Sequence, residues 1–293
     1  MSFGIDHPLI AVQDLAASAE QARRLGFRVQ TRHRHPWGTD NHLLFFPRNF
    51  IELIGIGRPD RLDYRDDNGF AFGRQIAERL ALGEGIAMVA LESEEMARDH
   101  QALVARGAEP PAPIVFRRLA HLPDGRDEEV GVALTIVHRP EAPLLTQFLC
   151  QQLRPELFRT APTREPHPNT AQEITSLWYV SAEPAREIDL LRRVHGELAV
   201  RRCEGGYCIE TEKGNAYLMT PAAIVERFPL LRGLAPGPTR GVALSLACAS
   251  LAKAQAHWAD HGIAWQSISP EICDIAPRVL GGTLLRFEEH EVA

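Results

Sequence analysis

Several features of other protein classes are missing from this 293-residue sequence. No segment approaches the roughly 20 consecutive apolar residues that span a bilayer, so we expect no membrane partner. Residues Met1 to Ile10 lack the basic start and apolar core of a secretory signal. The five cysteines are odd in number and form no CxxC pair, which is typical of reduced thiols and indicates a cytoplasmic protein.

The charge balance excludes a second group of functions. The formal net charge is −6, from 32 Lys and Arg against 38 Asp and Glu, which provides no general field for nucleic acid. The basic cluster Arg32 to His35 is too short to change that conclusion. A composition of 45% hydrophobic and 24% charged residues is instead typical of a globular protein with one large or two medium domains.

An internal repeat organises the sequence. Apolar strand-like segments begin at Ile5, Ile86, Ile174 and Val242, and each is followed by a helical segment. Each helix is expected to end at a glycine, namely Gly26, Gly107, Gly196 and Gly262. The first two copies are related by a shift of 81 residues without a gap, and Asp14, Ser93 and Ser250 are candidate N-caps.

Strand-forming segments after each glycine complete the repeat. In the first copy they are Phe27 to Thr31, Asn41 to Phe46 and Phe50 to Ile54, with a turn at Pro47 to Asn49. The sequence therefore predicts an α+β fold of four βαβββ modules paired into two domains with cup-shaped mixed sheets. The predicted domains are 1–155 and 173–293, separated by a Pro-rich linker at 156–172.

The order and spacing of short motifs within this repeat resemble the vicinal oxygen chelate superfamily, and the N-terminal half resembles the glyoxalase-like domain family. The superfamily includes glyoxalase I, extradiol dioxygenases and bleomycin-resistance proteins. The motifs are Asp6-His7, Gly38 to Asn41, Phe50 to Leu53 and His167 to Asn169. The resemblance implies glyoxalase/dioxygenase-like domains in which the first and last strands of each module supply ligands for a divalent metal, here Zn, Ni, Mn or Fe.

Carrying the metal positions over gives an incomplete set. His7 and Glu52 are acceptable ligands in the first module, but the shift of 81 places Met88 where a second histidine would be needed. Leu149 to Gln151 parallels Phe50 to Glu52, which places Gln151 opposite Glu52. His42 or His167 could supply a third ligand. Candidate substrate-binding residues are His42, Asn41, Gln151, His167 and Asn169.

The C-terminal pair of modules lacks these side chains. The positions that correspond to His7 fall near Ser176 and Leu244, and the late strands carry Leu218 and Arg286. Four-module dioxygenases keep their iron in the second pair, so extradiol dioxygenase chemistry is disfavoured. We expect the C-terminal pair to serve packing or dimerisation, in a monomer of paired domains or a homodimer.

Two functions remain open from the sequence. The first is a metal-assisted isomerase or lyase that acts on a small carbonyl-bearing molecule in the N-terminal cup, with Glu52 as metal ligand or general base. The second is a metal-free protein of the bleomycin-resistance type that binds or sequesters a small molecule. The pair His7 and Glu52 favours the first, and Met88 with Gln151 favours the second.

Overall fold

The computed structural model describes residues 2–65, 69–121, 125–158 and 165–290, and within them the chain forms two mixed sheets. Part of the predicted linker, residues 159–164, lies outside the described residues. Each sheet has eight strands. The first sheet comprises β1 (Ile5–Ala11), β2 (His33–Arg34), β3 (Thr39–Phe45), β4 (Phe50–Ile56), β5 (Gly85–Glu92), β6 (Ile114–His121), β7 (Asp127–Val137) and β8 (Gln147–Gln152). The second comprises β9 (Ala171–Val180), β10 (Val200–Cys203), β11 (Gly206–Ile209), β12 (Asn215–Met219), β13 (Arg240–Cys248), β14 (Gln266–Ser269), β15 (Ile272–Ile275) and β16 (Leu284–Glu289).

The helices complete four βαβββ modules, as the repeat predicts. They are α1 (Leu15–Arg24), α2 (Phe72–Ala81), α3 (Met96–Ala105), α4 (Pro155–Phe158), α5 (Pro184–His195), α6 (Pro221–Arg227) and α7 (Leu251–Asp260). The second helix of each module pair, α2 or α6, lies between the two modules along the chain. None of the helices in the described ranges has the length and apolar character needed to cross a membrane.

Local signals set the ends of the module helices. Asp14 and Ser250 accept hydrogen bonds from the backbone N–H groups of Ala17 and Lys253, so both predicted N-caps are confirmed. Ser93 is not a cap, because its hydroxyl donates to Asp99 and helix α3 begins after Glu95. All four predicted terminating glycines have positive φ, which lets the chain reverse there without a Cβ clash.

The ladder between β1 and β5 shows the internal symmetry of the first sheet. His7 pairs with Ala90, and Leu9 pairs with Met88. A shift of 81 relates His7 to Met88 and Leu9 to Ala90. The pair of His7 with Ala90 is therefore related to the pair of Met88 with Leu9, as a local two-fold axis requires. The second sheet repeats the arrangement between β9 and β13, where Ser176 pairs with Ser245 and register shifts again flank the central pairs.

Apolar side chains join the two sheets into one packed body. A single core cluster includes Ile10 and Val89 of the first sheet together with Leu177 and Leu246 of the second. Burial of this shared face leaves the opposite, concave face of each sheet to form a separate environment.

One strand segment is predicted wrongly, since Phe27 to Thr31 is not a strand and β2 is the short segment His33–Arg34.

Candidate functional site

The centre of the first sheet holds a buried chain of ionisable side chains. Strands β1 and β4 are parallel neighbours in which Leu9 pairs with Glu52. His7 lies two residues before Leu9, so His7 and Glu52 extend from the same face of the sheet. The Nε2 atom of His7 lies 3.3 Å from the Oε2 atom of Glu52, and its Nδ1 atom lies 2.8 Å from the Oδ2 atom of Asp6. All three side chains are buried, and the His7 ring stacks on Phe50 with centroids 4.0 Å apart.

A neighbouring amide fixes the Glu52 carboxylate on its other side. The Nδ2 atom of Asn41 on β3 donates to the Oε1 atom of Glu52 at 2.7 Å. The same amide nitrogen lies 3.4 Å from the Nε2 atom of His35, whose Nδ1 atom is 2.9 Å from the Thr39 hydroxyl. Hydrogen bonds from two sides hold Glu52 in one orientation within the sheet, which is the condition for a preorganised carboxylate.

The ion pair shifts the pKa values of both partners. Burial alone would lower the pKa of His7, but hydrogen bonds and charges from Asp6 and Glu52 outweigh burial and raise the pKa from 6.5 to about 9. Burial alone would raise the pKa of Glu52, but the hydrogen bond from His7, nearby histidine charge and the Asn41 amide lower it below its usual value. At neutral pH the pair is therefore an imidazolium and a carboxylate.

We expect the His7 imidazole to titrate near pH 9 in NMR spectra of its ring protons. Replacement of Asp6 by Asn should lower the pKa of His7, because it removes one of the two carboxylates that stabilise the imidazolium. A His7 ring that titrates near 6.5 in the wild type would contradict the ion pair.

The concave face encloses a cavity of about 110 Å³ around this pair. Side chains from every strand of the first sheet except β5 line it. The lining residues are His7, Leu9, His33, His35, Trp37, Asn41, Leu43, Phe50, Glu52, Ile54, Phe72, Phe116, Val130, Gly131, Val132, Leu134, Phe148, Cys150 and Gln152. An apolar cavity with a few convergent ionisable groups is the usual form of a small-molecule site.

Two candidate residues of the sequence analysis face away from this cavity. His42 lies next to Asn41 on β3, and its Nδ1 atom is 2.7 Å from the carbonyl oxygen of Gln30. Gln151 lies between Cys150 and Gln152, which both face the cup. Its amide instead binds the backbone near the start of α3, accepting from Met96 N–H and donating to the Glu94 carbonyl. Neither His42 nor Gln151 is among the residues that line this cavity, and their role in substrate binding stays a prediction.

His167 and Asn169 also lie outside the cup. They hydrogen-bond the segment between the two sheets to backbone groups of the first half of the chain. His167 accepts from the Arg28 N–H and donates to the carbonyl oxygen of Phe45. Asn169 donates to the carbonyl oxygen of Leu25. Burial lowers the pKa of His167 to about 4, which keeps the ring neutral. The predicted role of His167 and Asn169 in substrate binding stays a prediction.

The strand register identifies the structural counterpart of Glu52 in the second module. Leu9 pairs with Glu52, and the residue related to Leu9 by the shift of 81 is Ala90, which pairs with Phe148. Phe148, three residues before Gln151, thus occupies the position equivalent to Glu52. His7 and Glu52 are matched across the local two-fold axis by Met88 and Phe148.

This donor set does not fit a resident divalent metal. Catalytic zinc sites use three protein ligands, whereas Met88 and Phe148 offer neither a nitrogen nor an oxygen donor. Both ring nitrogens of His7 already contact carboxylates, and a protonated imidazole cannot bind a cation. Among the described residues, no group of three or more His, Cys, Asp or Glu side chains could hold a metal ion.

The concave face of the second sheet is built differently. By the same register rule, Ser176 and Tyr217 are the counterparts of His7 and Glu52. Arg286, the counterpart of Phe148, is buried and binds both carboxylate oxygens of Asp274, and its guanidinium lies 4.2 Å from the ring centroid of Phe228. The equivalents of the His7–Glu52 pair are absent from these positions, and the role of this half in packing or dimerisation stays a prediction.

Sequence reasoning missed several residues of the site. Asp6 is part of the quoted motif, but its contact with the neighbouring imidazole ring could not be foreseen. Trp37, Phe116 and Phe148 form much of the apolar wall, and their aromatic character was the available signal.

The comparisons with known proteins agree with this architecture. A hypothetical protein from Staphylococcus aureus shares the fold with a TM-score of 0.70 and 14% identity, covering 98% of this chain and 100% of its own. A mutant of 4-hydroxymandelate synthase from Streptomyces coelicolor has a TM-score of 0.61 and 12% identity, covering 100% of this chain and 94% of its own. No curated protein gives a significant match.

The family assignment rests on a match of sequence over more than half of the chain. The model of the glyoxalase-like domain family matches residues 5–194, which include all of the first sheet and the start of the second. A xylose isomerase-like TIM barrel/4-hydroxyphenylpyruvate dioxygenase fusion protein adds a third fold neighbour, with a TM-score of 0.59 and 12% identity, covering 100% of this chain and 49% of its own. The chain belongs to the glyoxalase-like domain family.

Proposed function

We propose that the N-terminal cup is the active site of an isomerase or lyase that moves a proton on a small carbonyl-bearing molecule. The observation that carries the proposal is the buried ion pair of Glu52 with His7 inside the cavity. A carboxylate held by Asn41 and His7 beside an apolar cavity can accept a proton from bound substrate while water is excluded.

The chemistry follows from the two charges. The Glu52 carboxylate takes a proton from the carbon next to the substrate carbonyl, and the electron pair of that C–H bond moves to the carbonyl oxygen as an enolate. The His7 imidazolium stabilises the negative charge that is transferred from Glu52 to substrate. Return of the proton to the same or the neighbouring carbon completes an epimerisation or isomerisation, and loss of a β-substituent from the enolate would make the reaction an elimination.

Glu52 and His7 carry this scheme without a resident metal, which sets it apart from the metal-assisted alternative. In the metal-assisted scheme the two residues would share one divalent ion, and the ion would stabilise the enolate. Their counterparts Met88 and Phe148 leave such an ion with two protein ligands. The proposal therefore assigns the charge stabilisation to the protonated histidine.

Hydrogen exchange in D₂O tests the proposal on the intact protein after EDTA treatment and dialysis. The substrates are a panel of uncharged and anionic carbonyl compounds, including α-hydroxyacetophenone and phenylpyruvate, followed by NMR against protein-free controls. We expect protein-dependent loss of an α-proton signal from at least one compound. Exchange that is lost on EDTA treatment and restored by Zn, Ni, Mn or Fe would establish the metal-assisted alternative. No exchange with any compound, with or without these metals, would contradict the proposal.

A further inference from the structure

The histidine and carboxylate side chains that line the N-terminal cup all come from its first module. Strands of the first module place His7, Asn41 and Glu52 on one side of the cavity. Strands of the second module place apolar side chains on the other side, including Phe116, Val132 and Phe148. A ligand that fits both sides has a polar end and an apolar body.

The His7 imidazolium on the polar side is already neutralised by carboxylates. Two carboxylates, Asp6 and Glu52, flank the single imidazolium of His7. Neither lysine nor arginine is among the described residues that line the cavity. An anionic group on a ligand would therefore approach Glu52 without a lysine or arginine to compensate it, and like charges at short range in a buried site repel strongly.

The same side offers hydrogen-bond acceptors. Both ring nitrogens of His7 are engaged by carboxylates, and the amide nitrogen of Asn41 donates to Glu52. The Oδ1 atom of Asn41 is buried and has no hydrogen-bond partner among the described residues. Because an unsatisfied buried acceptor destabilises the protein, a donor on the ligand is the group that complements this side.

The apolar side is dominated by flat rings. Trp37 stacks on Phe72 with centroids 4.7 Å apart and lies 5.2 Å from the ring of Phe116. Phe148 meets both Phe72 and His7 edge to face, each with centroids 5.9 Å apart. Walls of this kind favour an aromatic body, which gains from ring–ring contacts in addition to its buried area.

We propose that the cup binds an uncharged or cationic aromatic compound that carries a hydroxyl or amino group, and that it discriminates against carboxylates and phosphates. The proposal rests on the proposed function for the location of the active site and adds the class of substrate. The hydroxyl or amino group lies against Glu52 and Asn41, and the ring lies against Phe116 and Phe148.

Three probes with the same phenyl ring isolate the contribution of the polar group, namely benzylamine, benzyl alcohol and benzoate. Binding to the full chain is followed by the indole N–H signals in ¹H–¹⁵N NMR spectra. Of the four tryptophans, Trp37 lines the cup, while the indole N–H groups of Trp178 and Trp258 are bonded to Ser245 and Leu25 and act as references. We expect the Trp37 signal to shift, with benzylamine binding at least about tenfold more tightly than benzoate.

Two variants separate charge from shape. Glu52→Gln should reduce the preference for benzylamine over benzoate to within about threefold, since it removes the carboxylate and keeps the side-chain size. Phe116→Ala, on the edge strand, should weaken all three probes by a similar factor and leave the preference unchanged. The reference indole signals report whether each variant is folded. If the Glu52→Gln protein loses these signals, the Asn41→Leu protein takes its place. This substitution should weaken the binding of benzyl alcohol more than the binding of toluene, which has no hydroxyl group.

Benzoate that binds the wild type as tightly as benzylamine would overturn this ligand class, and so would a Trp37 signal that no probe shifts. The outcome is separable from that of the proposed function. Hydrogen exchange on an anionic carbonyl compound without preference for benzylamine would contradict the ligand class alone. Selective binding of benzylamine without exchange on any carbonyl compound would contradict the catalytic proposal alone.

Discussion

Replacement of Glu52 by Gln is expected to lower the rate of hydrogen exchange catalysed by the N-terminal cup by about 10²- to 10⁴-fold, the usual contribution of a general base. The amide has almost the same shape and can still contact Asn41 and His7, so the cavity should keep its form. The amide cannot accept the proton, however, and kcat should fall much more than the affinity for substrate.

A matched control is available on the same sheet. Glu129 lies on β7 and pairs with Arg117 at the exposed edge of the sheet, 3.0 Å away. Glu129→Gln removes one carboxylate from the same domain without reaching the cavity, so its exchange rate should equal that of the wild type. Equal rates in the Glu52→Gln and wild-type proteins would exclude Glu52 as the base.

The repeat could be recognised in the sequence because it includes glycines at positions where the backbone has positive φ. Gly26 and Gly107 both have positive φ at the end of a module helix, and few other residues adopt that conformation. The gapless shift of 81 between them predicted the relation of β1 to β5, whereas the placement of His7 with Glu52 within the first module was implied by the resemblance to the glyoxalase-like domain family. The predicted α+β fold is therefore confirmed, while the boundaries of the domains stay a prediction.

Which face of the sheet a given side chain occupies was harder to predict than the presence of the strand. Adjacent residues on a strand face opposite ways, so Asn41 and His42 could not both line the cup. In the second module, β8 follows the long hairpin of β6 and β7, and the shift of 81 no longer applies after it. Aligning Gln151 in place of Phe148 is an error of an odd number of residues, which moves the side chain to the other face.

Contacts between distant segments could not be read from the sequence at all. His167 and Asn169 look like ligands in a short polar motif, but each is held by backbone groups more than 100 residues earlier in the chain, at Phe45 and Leu25. Nothing in the local pattern distinguishes a histidine that binds a ligand from one that ties two sheets together. For His167 the difference has a measurable consequence in the pH dependence of stability.

Acidification from about pH 7.5 to about pH 5 is expected to lower the free energy of unfolding by about 3 kcal/mol. Burial lowers the pKa of His167 to about 4 and that of His195 to about 3, so both rings stay neutral in the folded protein while they protonate near 6.5 when unfolded. Each therefore removes about 2 kcal/mol of stability over this range. The stabilising effect of His7 instead increases on acidification, because its pKa is higher in the folded protein than in the unfolded chain and the effect reaches its full size only below pH 6.5. This increase offsets about 1 kcal/mol of the loss.

Urea unfolding at the two pH values measures the effect, and substitutions assign it. His195→Gln should reduce the loss on acidification by about 2 kcal/mol, because the group that titrates is gone, even though the variant is less stable at neutral pH. The hydrogen bonds explain the direction: in His167 the Nδ1 atom accepts from the Arg28 N–H, and protonation of that atom breaks the bond. An unfolding free energy that rises on acidification would show that neither His167 nor His195 is held neutral.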